Sequence, residues 1–445
     1  MSSRELANCL IVQLKGRFIS LNIIIKNSLW LILDKLLVLV GGVLVSILVA
    51  RYLGPDDFGK ITLGITLAGL PIAISQWGGS QFIFSLAARR KKTAESYVIN
   101  SELYRLLIYF IATIFLYIAL IFTKYSNDVE FITFVIFSQV FVSLDLYQFV
   151  FNATFRSKLN ASSNIISVLL SNAARVLFML LGLNAYYFVL PYYISGFALW
   201  WTKRRVASVE QHFTQKQARQ SARSFIFRGN KYLIFTLLSF FIGKINYIFL
   251  AAYFSYQELA IYSVLFMLAY AWIFFPQAIA TSLLSKVLSV RDFEAIDVSF
   301  VILVVTVVSI PFIIVTLFFS DLIVLLTFGV EYLTEQNLLF WLVLSSLFSC
   351  YNFVANRVIS NSKFGGKFLY KKSLYLLFFC SPISLALIDY YGLKGAVIAI
   401  CVSEFVGCTL FNAKFNDGFF IQVMKKVIYS GSCYKKYFGM KSGSH

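Results

Sequence analysis

Charged residues and histidine are scarce in this chain of 445 residues. Only 13% of the residues are charged, and the only histidines are His212 and His445. The six cysteines form no CxxC pair, and no nucleotide-binding glycine loop or P-loop occurs. These absences argue against a zinc site, a Cys-His nucleophile pair and a disulfide framework. They also predict that no cofactor and no metal is bound.

Long apolar runs are what the chain has in abundance. It is 59% hydrophobic and has a mean hydropathy of +0.79, more than a soluble core of this size requires. About twelve apolar segments are long enough to cross a bilayer. They run approximately over residues 23–50, 61–87, 97–122, 131–155, 160–181, 186–201, 232–253, 259–284, 298–319, 333–355, 368–388 and 393–411. The pattern predicts an all-α integral membrane protein with about twelve transmembrane helices.

The charge between these segments alternates along the chain. The formal net charge is +19, and most of the cations lie in the N-terminal segment, the C-terminal tail and every second connection. Acidic residues such as Asp57, Asp128 and Glu331 lie in the other connections. Because cations are retained on the cytoplasmic side, we expect both termini to be cytoplasmic. The positive charge thus indicates membrane topology rather than binding of nucleic acid.

The longest interruption, over residues 202–224, divides the chain into two halves. A shift of 201 residues aligns Gly42 with Gly243 and Asp57 with Glu258 without a gap. Parallel repeats of this kind are common in transporters, with the substrate site between them. We expect six-helix lobes at 1–201 and 232–413, a basic cytoplasmic linker at 202–231 and a basic cytoplasmic tail at 414–445.

Charged residues inside the apolar segments are the candidates for function, because such charges are costly in a bilayer. Three cations have no opposite charge three or four residues away on their own helix, so each needs a partner elsewhere or a bound anion. Arginine and lysine both bind phosphate, which makes them candidate substrate contacts. Salt bridges to the intramembrane acids are the alternative, and the acids are candidates for ion coupling. The cations are Lys35, Arg175 and Lys244, and the acids are Asp34, Asp145 and Glu404.

Other intramembrane polar residues have a structural interpretation. Glu102 and Arg105 are three residues apart, so they share a helical face and can neutralise each other. Polar residues also recur on one face of the fifth segment, as Ser167 and Ser171 do. We expect such stripes to make hydrogen bonds between helices.

Three stretches carry a resemblance to a known family. LDKLLVLVGGVLVSILVARYLGPDDFG begins the first half, FFIGKINYIFLAAYFSYQELAIYSVLFMLAYAWIFFPQAIATSLL begins the second, and YYGLKGAVIAICVSE leads into the last segment. They resemble the O-antigen flippases, the Wzx-type polysaccharide transporters of the multidrug/oligosaccharidyl-lipid/polysaccharide (MOP) exporter superfamily. One departure is Asn246, because the family often has aspartate after Lys-Ile, and an amide cannot carry a proton.

The resemblance implies a specific function. Such carriers move undecaprenyl-diphosphate-linked oligosaccharide repeat units from the cytoplasmic to the periplasmic leaflet of the bacterial inner membrane. They alternate between inward-open and outward-open states and draw on proton or sodium gradients. The implied partners are the lipid-linked oligosaccharide, the bilayer, and the O-antigen polymerase and glycosyltransferases of the pathway. The chain would then not be an enzyme.

Other functions remain as alternatives. A MATE-like drug exporter shares the fold but is expected to have a predominantly acidic cavity, and a lipid II flippase usually has additional spans. A membrane polymerase or ligase for O-antigen is expected to have a large periplasmic loop. The longest connection on that side, near residues 320–332, is too short for one. A purely structural membrane protein would not explain unpaired cations inside the membrane.

Overall fold

The computed structural model describes residues 41–154, 156–208, 215–288, 294–333, 338–362 and 364–428. All regular secondary structure in these ranges is helical. Short 3-10 turns lie at Ser126–Asp128, Tyr187–Val189, Val330–Tyr332 and Asn416–Gly418. The α-helices are α1 (Gly41–Ser75), α2 (Gly79–Arg89), α3 (Lys91–Asn100), α4 (Glu102–Ile121), α5 (Val129–Ser138), α6 (Val140–Ser143), α7 (Tyr147–Ala153), α8 (Ser157–Leu180), α9 (Leu190–Ser208), α10 (Gln215–Tyr253), α11 (Tyr256–Ala271), α12 (Phe274–Val287), α13 (Ala295–Thr327), α14 (Leu338–Ser360), α15 (Gly365–Cys408), α16 (Leu410–Ala413) and α17 (Phe419–Ile428).

Eight helical stretches among the described residues are long and apolar enough to cross a membrane. Two of them, α1 and α15, each combine parts of two predicted segments. In each, one glycine has a left-handed φ, 74° for Gly54 and 56° for Gly392, which a right-handed helix does not contain. The chain therefore breaks its helical path where the sequence predicts a connection.

The fourth and sixth predicted segments account for the remaining difference. The fourth is divided among α5, α6 and α7, each too short to span alone, and the sixth forms α9, whose last turns carry three cations. About twelve segments are thus accommodated, although the first is described only from Gly41. Residues 202–208 and 215–231, predicted as part of a linker, are helical and extend α9 and α10.

The side chains of α4 show the reverse of the polarity of a soluble helix. Arg105, Tyr109 and Thr113 are buried against neighbouring helices, whereas Phe115 is 74% exposed and Phe122, just after the helix, is 84% exposed. Apolar residues outside and polar residues inside are expected where lipid is the solvent. The packing therefore agrees with a membrane-spanning chain.

The described chain divides into two units by its internal contacts. Unit 1 contains Leu67–Leu237 with the described residues up to Val45, and unit 2 contains Ser46–Thr66 and the described residues from Leu238 onward. The core of unit 1 joins α2, α3, α7 and α10 around residues such as Ile83, and the core of unit 2 joins α12, α13, α14 and α17 around residues such as Val301. The lobe boundaries expected from the sequence remain a prediction.

Candidate functional site

The break in the fourth predicted segment organises the polar interior of unit 1. Residues 144–146 leave the helical path between α6 and α7, which frees backbone carbonyl groups at that point. The buried guanidinium of Arg105 donates to the carbonyl oxygens of Ser143 at 3.4 Å and Leu144 at 3.0 Å. It also donates to the carbonyl oxygen of Val98 at 2.8 Å. Arg105 therefore supplies the hydrogen bonds that an interrupted helix needs inside a membrane.

Asp145 lies in this break and forms a buried ion pair. Its Oδ2 accepts a hydrogen bond from Nζ of Lys203 on α9 at 2.7 Å, and the two side chains are 6% and 1% exposed. The other carboxylate oxygen, Oδ1, is buried and has no hydrogen-bond partner in the described part of the chain. Asp145 thus has one oxygen paired with a cation and one oxygen without a hydrogen-bond partner among the described residues.

Glu102 is held by three groups from other helices, through one ion pair and two hydrogen bonds. Its carboxylate pairs with Nε of Arg204 at 2.9 Å and accepts hydrogen bonds from the hydroxyl of Tyr147 at 2.6 Å and Nε1 of Trp200 at 2.9 Å. Glu102 and Arg105 make no direct ion pair in the described part of the chain. Arg105 binds backbone carbonyl groups instead, because α7 and α9 already satisfy the glutamate.

The interior of unit 2 contains a lysine surrounded by amide oxygens. Nζ of Lys372 on α15 donates to Oδ1 of Asn352 at 2.9 Å, of Asn356 at 3.0 Å and of Asn412 at 2.9 Å. Lys372 is only 5% exposed. All three ammonium hydrogens are therefore used by side-chain oxygens, and we name these four residues the ammonium cage.

Glu404 is connected to the ammonium cage through one amide. Asn352 donates through Nδ2 to Oε2 of Glu404 at 2.7 Å and to its backbone oxygen at 2.9 Å. Asn352 therefore accepts a hydrogen bond from Lys372 and donates one to Glu404, so it links the two side chains in one hydrogen-bond network. Nearby in the same unit, Asn246 donates weakly to the hydroxyl of Tyr262 at 3.4 Å and to the carbonyl of Ala396 at 3.3 Å.

Arg175 is buried on α8 without an acidic partner among the described residues. Its Nη1 lies 3.5 Å from Oδ1 of Asn172, and the guanidinium lies 4.7 Å from the ring centroid of Tyr192. Asn172 in turn donates to the carbonyl of Gly41 at the start of α1. Arg175 is 8% exposed, and the ring contact compensates only part of its charge.

Lys244 on α10 has a similar environment in unit 2. It is half-buried, its Nζ lies 4.7 Å from the ring centroid of Tyr247, and it makes no ion pair with Glu404 or any other described acid. Likewise, Arg175 does not pair with Asp145 in unit 1. Lys35 and Asp34 lie outside the described residues.

The sequence interpretation missed Lys203 and Lys372 as interior residues and Arg204 as the partner of Glu102, because all three fall at predicted segment ends next to other cations. One available signal was the spacing of Trp200 and Arg204, four apart on one face of α9. The expected hydrogen bonds between polar stripes do occur, for example from Ser167 to Ser195 at 2.9 Å.

The helical architecture matches a class of solved membrane transporters. The lipid II flippase MurJ, in an inward closed conformation, is 13% identical, with a TM-score of 0.61 and coverage of 94% of both chains. The MATE transporter VcmN of Vibrio cholerae is 12% identical, with a TM-score of 0.53 and coverage of 93% of this chain and 98% of that one. An inward-facing multidrug resistance MATE family transporter of the MOP superfamily is 14% identical, with a TM-score of 0.51 and coverage of 91% and 96%. At these identities the likeness establishes the fold, which is that of MOP superfamily transporters.

A family model supplies the more specific assignment. The model described as "Polysaccharide biosynthesis protein" matches residues 24–288, and the chain belongs to this family. A search of curated sequences returns no significant match. The predicted all-α membrane fold and the resemblance to the MOP superfamily are confirmed.

Proposed function

We propose that the protein is a flippase for undecaprenyl-diphosphate-linked O-antigen, or a related polysaccharide repeat unit. It moves this substrate from the cytoplasmic to the periplasmic leaflet of the bacterial inner membrane by alternating access. The family match and the transporter fold support lipid-linked transport. The O-antigen assignment comes from the sequence resemblance.

The observation that carries the proposal is the buried Arg175 without a carboxylate partner in the described chain. A buried cation without compensation is costly, so it is retained where a ligand supplies the opposite charge. Asp145 and Glu102 are each already paired with a cation. Among the described residues of unit 1, the buried charge without an opposite partner is therefore positive, which favours an anionic substrate over a cationic drug.

The diphosphate is the part of the substrate that these cations would bind. Arg175 offers a planar fork that fits phosphate oxygens, and Lys244 and Lys35 offer compact charges. The isoprenoid tail can stay in the lipid, whereas the sugar and diphosphate need a polar path. We propose Lys35, Arg175 and Lys244 as substrate contacts during the transport cycle.

Replacing the proposed contacts tests this function. We expect Arg175→Gln and Lys244→Gln to lower surface O-antigen by roughly tenfold or more in a flippase-null strain, since each loses a charge-assisted contact. Lys425→Gln, which removes an exposed cation from α17, is the control and should leave O-antigen unchanged. Normal O-antigen with both interior variants at equal protein level would reject their roles, and no complementation by the wild-type chain would reject the O-antigen substrate.

Ion coupling is proposed for Asp34, Asp145 and Glu404. The free Oδ1 of Asp145 supports this role, because an unsatisfied buried oxygen is an acceptor for a proton or a sodium ion. Transport into vesicles under an imposed proton or sodium gradient is the measurement that identifies the ion. Gradient dependence that persists in Asp145→Asn and Glu404→Gln would count against both residues.

A further inference from the structure

A pocket of about 320 Å³ lies between α2 and the first half of α10, within unit 1. Three cations line it, Arg89 from α2 and Arg228 and Lys231 from α10, and its lining contains no acidic residue. Phe82 and Tyr232 stack beside them with ring centroids 6.2 Å apart. We name this the basic pocket.

The three cations of the basic pocket are not neutralised by acidic side chains of the described chain. None of them makes an ion pair with an acid in the described ranges, and the one aromatic contact is that of Arg228 with the Tyr97 ring at 5.7 Å. Like charges around a single cavity repel each other. The three side chains are exposed, and a bound anion with more than one negative charge would lower the repulsion between them.

The walls of the basic pocket are fixed by a close contact between two backbones. A Cβ at Gly78 would come within 2.6 Å of the carbonyl oxygen of Gly229. Nε1 of Trp77 donates to the carbonyl oxygen of Ile226 at 3.1 Å. Arg228 and Lys231 lie within one turn of this contact, which holds α10 close to the turn before α2. A wall held in this way lowers the cost of ordering the cations around a ligand.

The position of the basic pocket along both helices places it at the membrane surface. On α2 the apolar run ends at Ala88, and Arg89 begins a run of four cations. On α10 the apolar run begins after Lys231, and the preceding turns are polar. Phosphates of membrane lipids lie at this boundary between apolar and charged residues. The charge pattern predicts that this surface is the cytoplasmic one.

We propose that the basic pocket binds the diphosphate of the lipid-linked substrate at the cytoplasmic surface, before it enters the transport path. This inference rests on the proposed function. Three cations match the two or more negative charges of a diphosphate better than the single charge of a phospholipid phosphodiester. The volume suits the diphosphate without its sugars. Phe227, which is 77% exposed beside the pocket, is positioned to contact the isoprenoid tail.

Binding to the full-length protein tests the proposal. The protein is placed in phosphatidylcholine nanodiscs, undecaprenyl diphosphate is the probe, and native mass spectrometry measures its affinity. The double variant Arg228→Gln/Lys231→Gln removes two pocket cations. The matched control Arg219→Gln/Arg223→Gln removes two exposed cations from the same helix. We expect the pocket variant to bind at least about tenfold more weakly and the control to change by less than about twofold, since charge-assisted contacts to phosphate are lost only in the pocket variant.

Each other outcome overturns the proposal. Equal losses in both variants would mean general electrostatic attraction, and unchanged binding in both would exclude the pocket. Competition by phosphatidylglycerol at the same concentration as the diphosphate would assign the pocket to phospholipid. If the pocket variant binds normally while the wild-type chain restores O-antigen in a flippase-null strain, only the pocket proposal fails. If the wild-type chain neither binds the diphosphate nor restores O-antigen, the proposed function fails as well.

Discussion

Two acidic side chains in the interior of unit 1 are each paired with a cation from a helix that is distant along the chain. Asp145 is paired by Lys203 on α9 and Glu102 by Arg204 on the same helix. A buried ion pair is costly to break, because the remaining charge is left without compensation. The pair between Asp145 and Lys203 should therefore contribute to the stability of unit 1 independently of any role in transport.

A double-mutant cycle at this pair separates stability from ion coupling. We expect Lys203→Met alone to destabilise the protein by about 3–5 kcal/mol, since it strands a buried carboxylate. Combining it with Asp145→Asn should recover most of this loss. Thermal unfolding of the purified protein measures the effect, with Lys216→Met on the exposed start of α10 as the control.

Two results of this double-mutant cycle would be informative. A single Lys203→Met variant as stable as the wild type would contradict the importance of the ion pair. A double variant that is stable but does not transport would indicate that Asp145 also takes part in coupling.

Two glycines of α10 have very different surroundings. Gly229 meets the backbone of Trp77, and a Cβ there would overlap the carbonyl oxygen of Trp77. Gly243, four turns further along the same helix, has nothing within 4 Å of the position of a Cβ. Gly229 is required because two segments of the backbone approach each other closely there. Gly243 is not required, because a side chain at that position would meet nothing within 4 Å.

This difference predicts opposite effects of the same substitution. We expect Gly229→Ala to destabilise the protein by about 1–3 kcal/mol, because the overlap forces α10 away from the turn at Trp77. Gly243→Ala should stabilise it by roughly 0.5–1 kcal/mol, because alanine has the higher helix propensity. Unfolding midpoints of the two variants test this, and a loss of stability in both or in neither would contradict the assignment.

For the whole molecule, the distribution of charge predicts the orientation in the membrane. The turn Ser126–Asp128 and the start of α5 carry acids, whereas the end of α9 and the start of α10 carry cations. The positive-inside rule then places the first region in the periplasm and the second in the cytoplasm.

Fusions to a reporter test this orientation. Alkaline phosphatase, which is active only in the periplasm, should be active when fused after Asp128 and inactive when fused after Arg223. Green fluorescent protein at the same two sites is the control and should respond in the opposite way. Phosphatase activity after Arg223 together with none after Asp128 would reject the predicted topology.

Much of the fold could be predicted, because hydropathy and loop charge act over whole segments. Gly54 and Gly392 break their helices where turn residues were recognised in the sequence. The partners of charged residues could not be predicted in this way. Lys203 follows an apolar segment, Lys372 lies at the start of one, and both resemble ordinary cytoplasmic cations. Their burial depends on acids and amides that are 58 and up to 40 residues distant. Only the folded chain brings such groups within 3 Å.

The ammonium cage in unit 2 has one more consequence. A free sodium or ammonium ion held by three amide oxygens would exchange with the surrounding solution and leave on dialysis. Lys372 occupies that position as part of the polypeptide, so no washing or change of buffer cation can empty it. The ammonium group has one N–H for each of the three amide oxygens. The α14–α15 region thus carries a cation that is part of the polypeptide and is linked to Glu404 through Asn352.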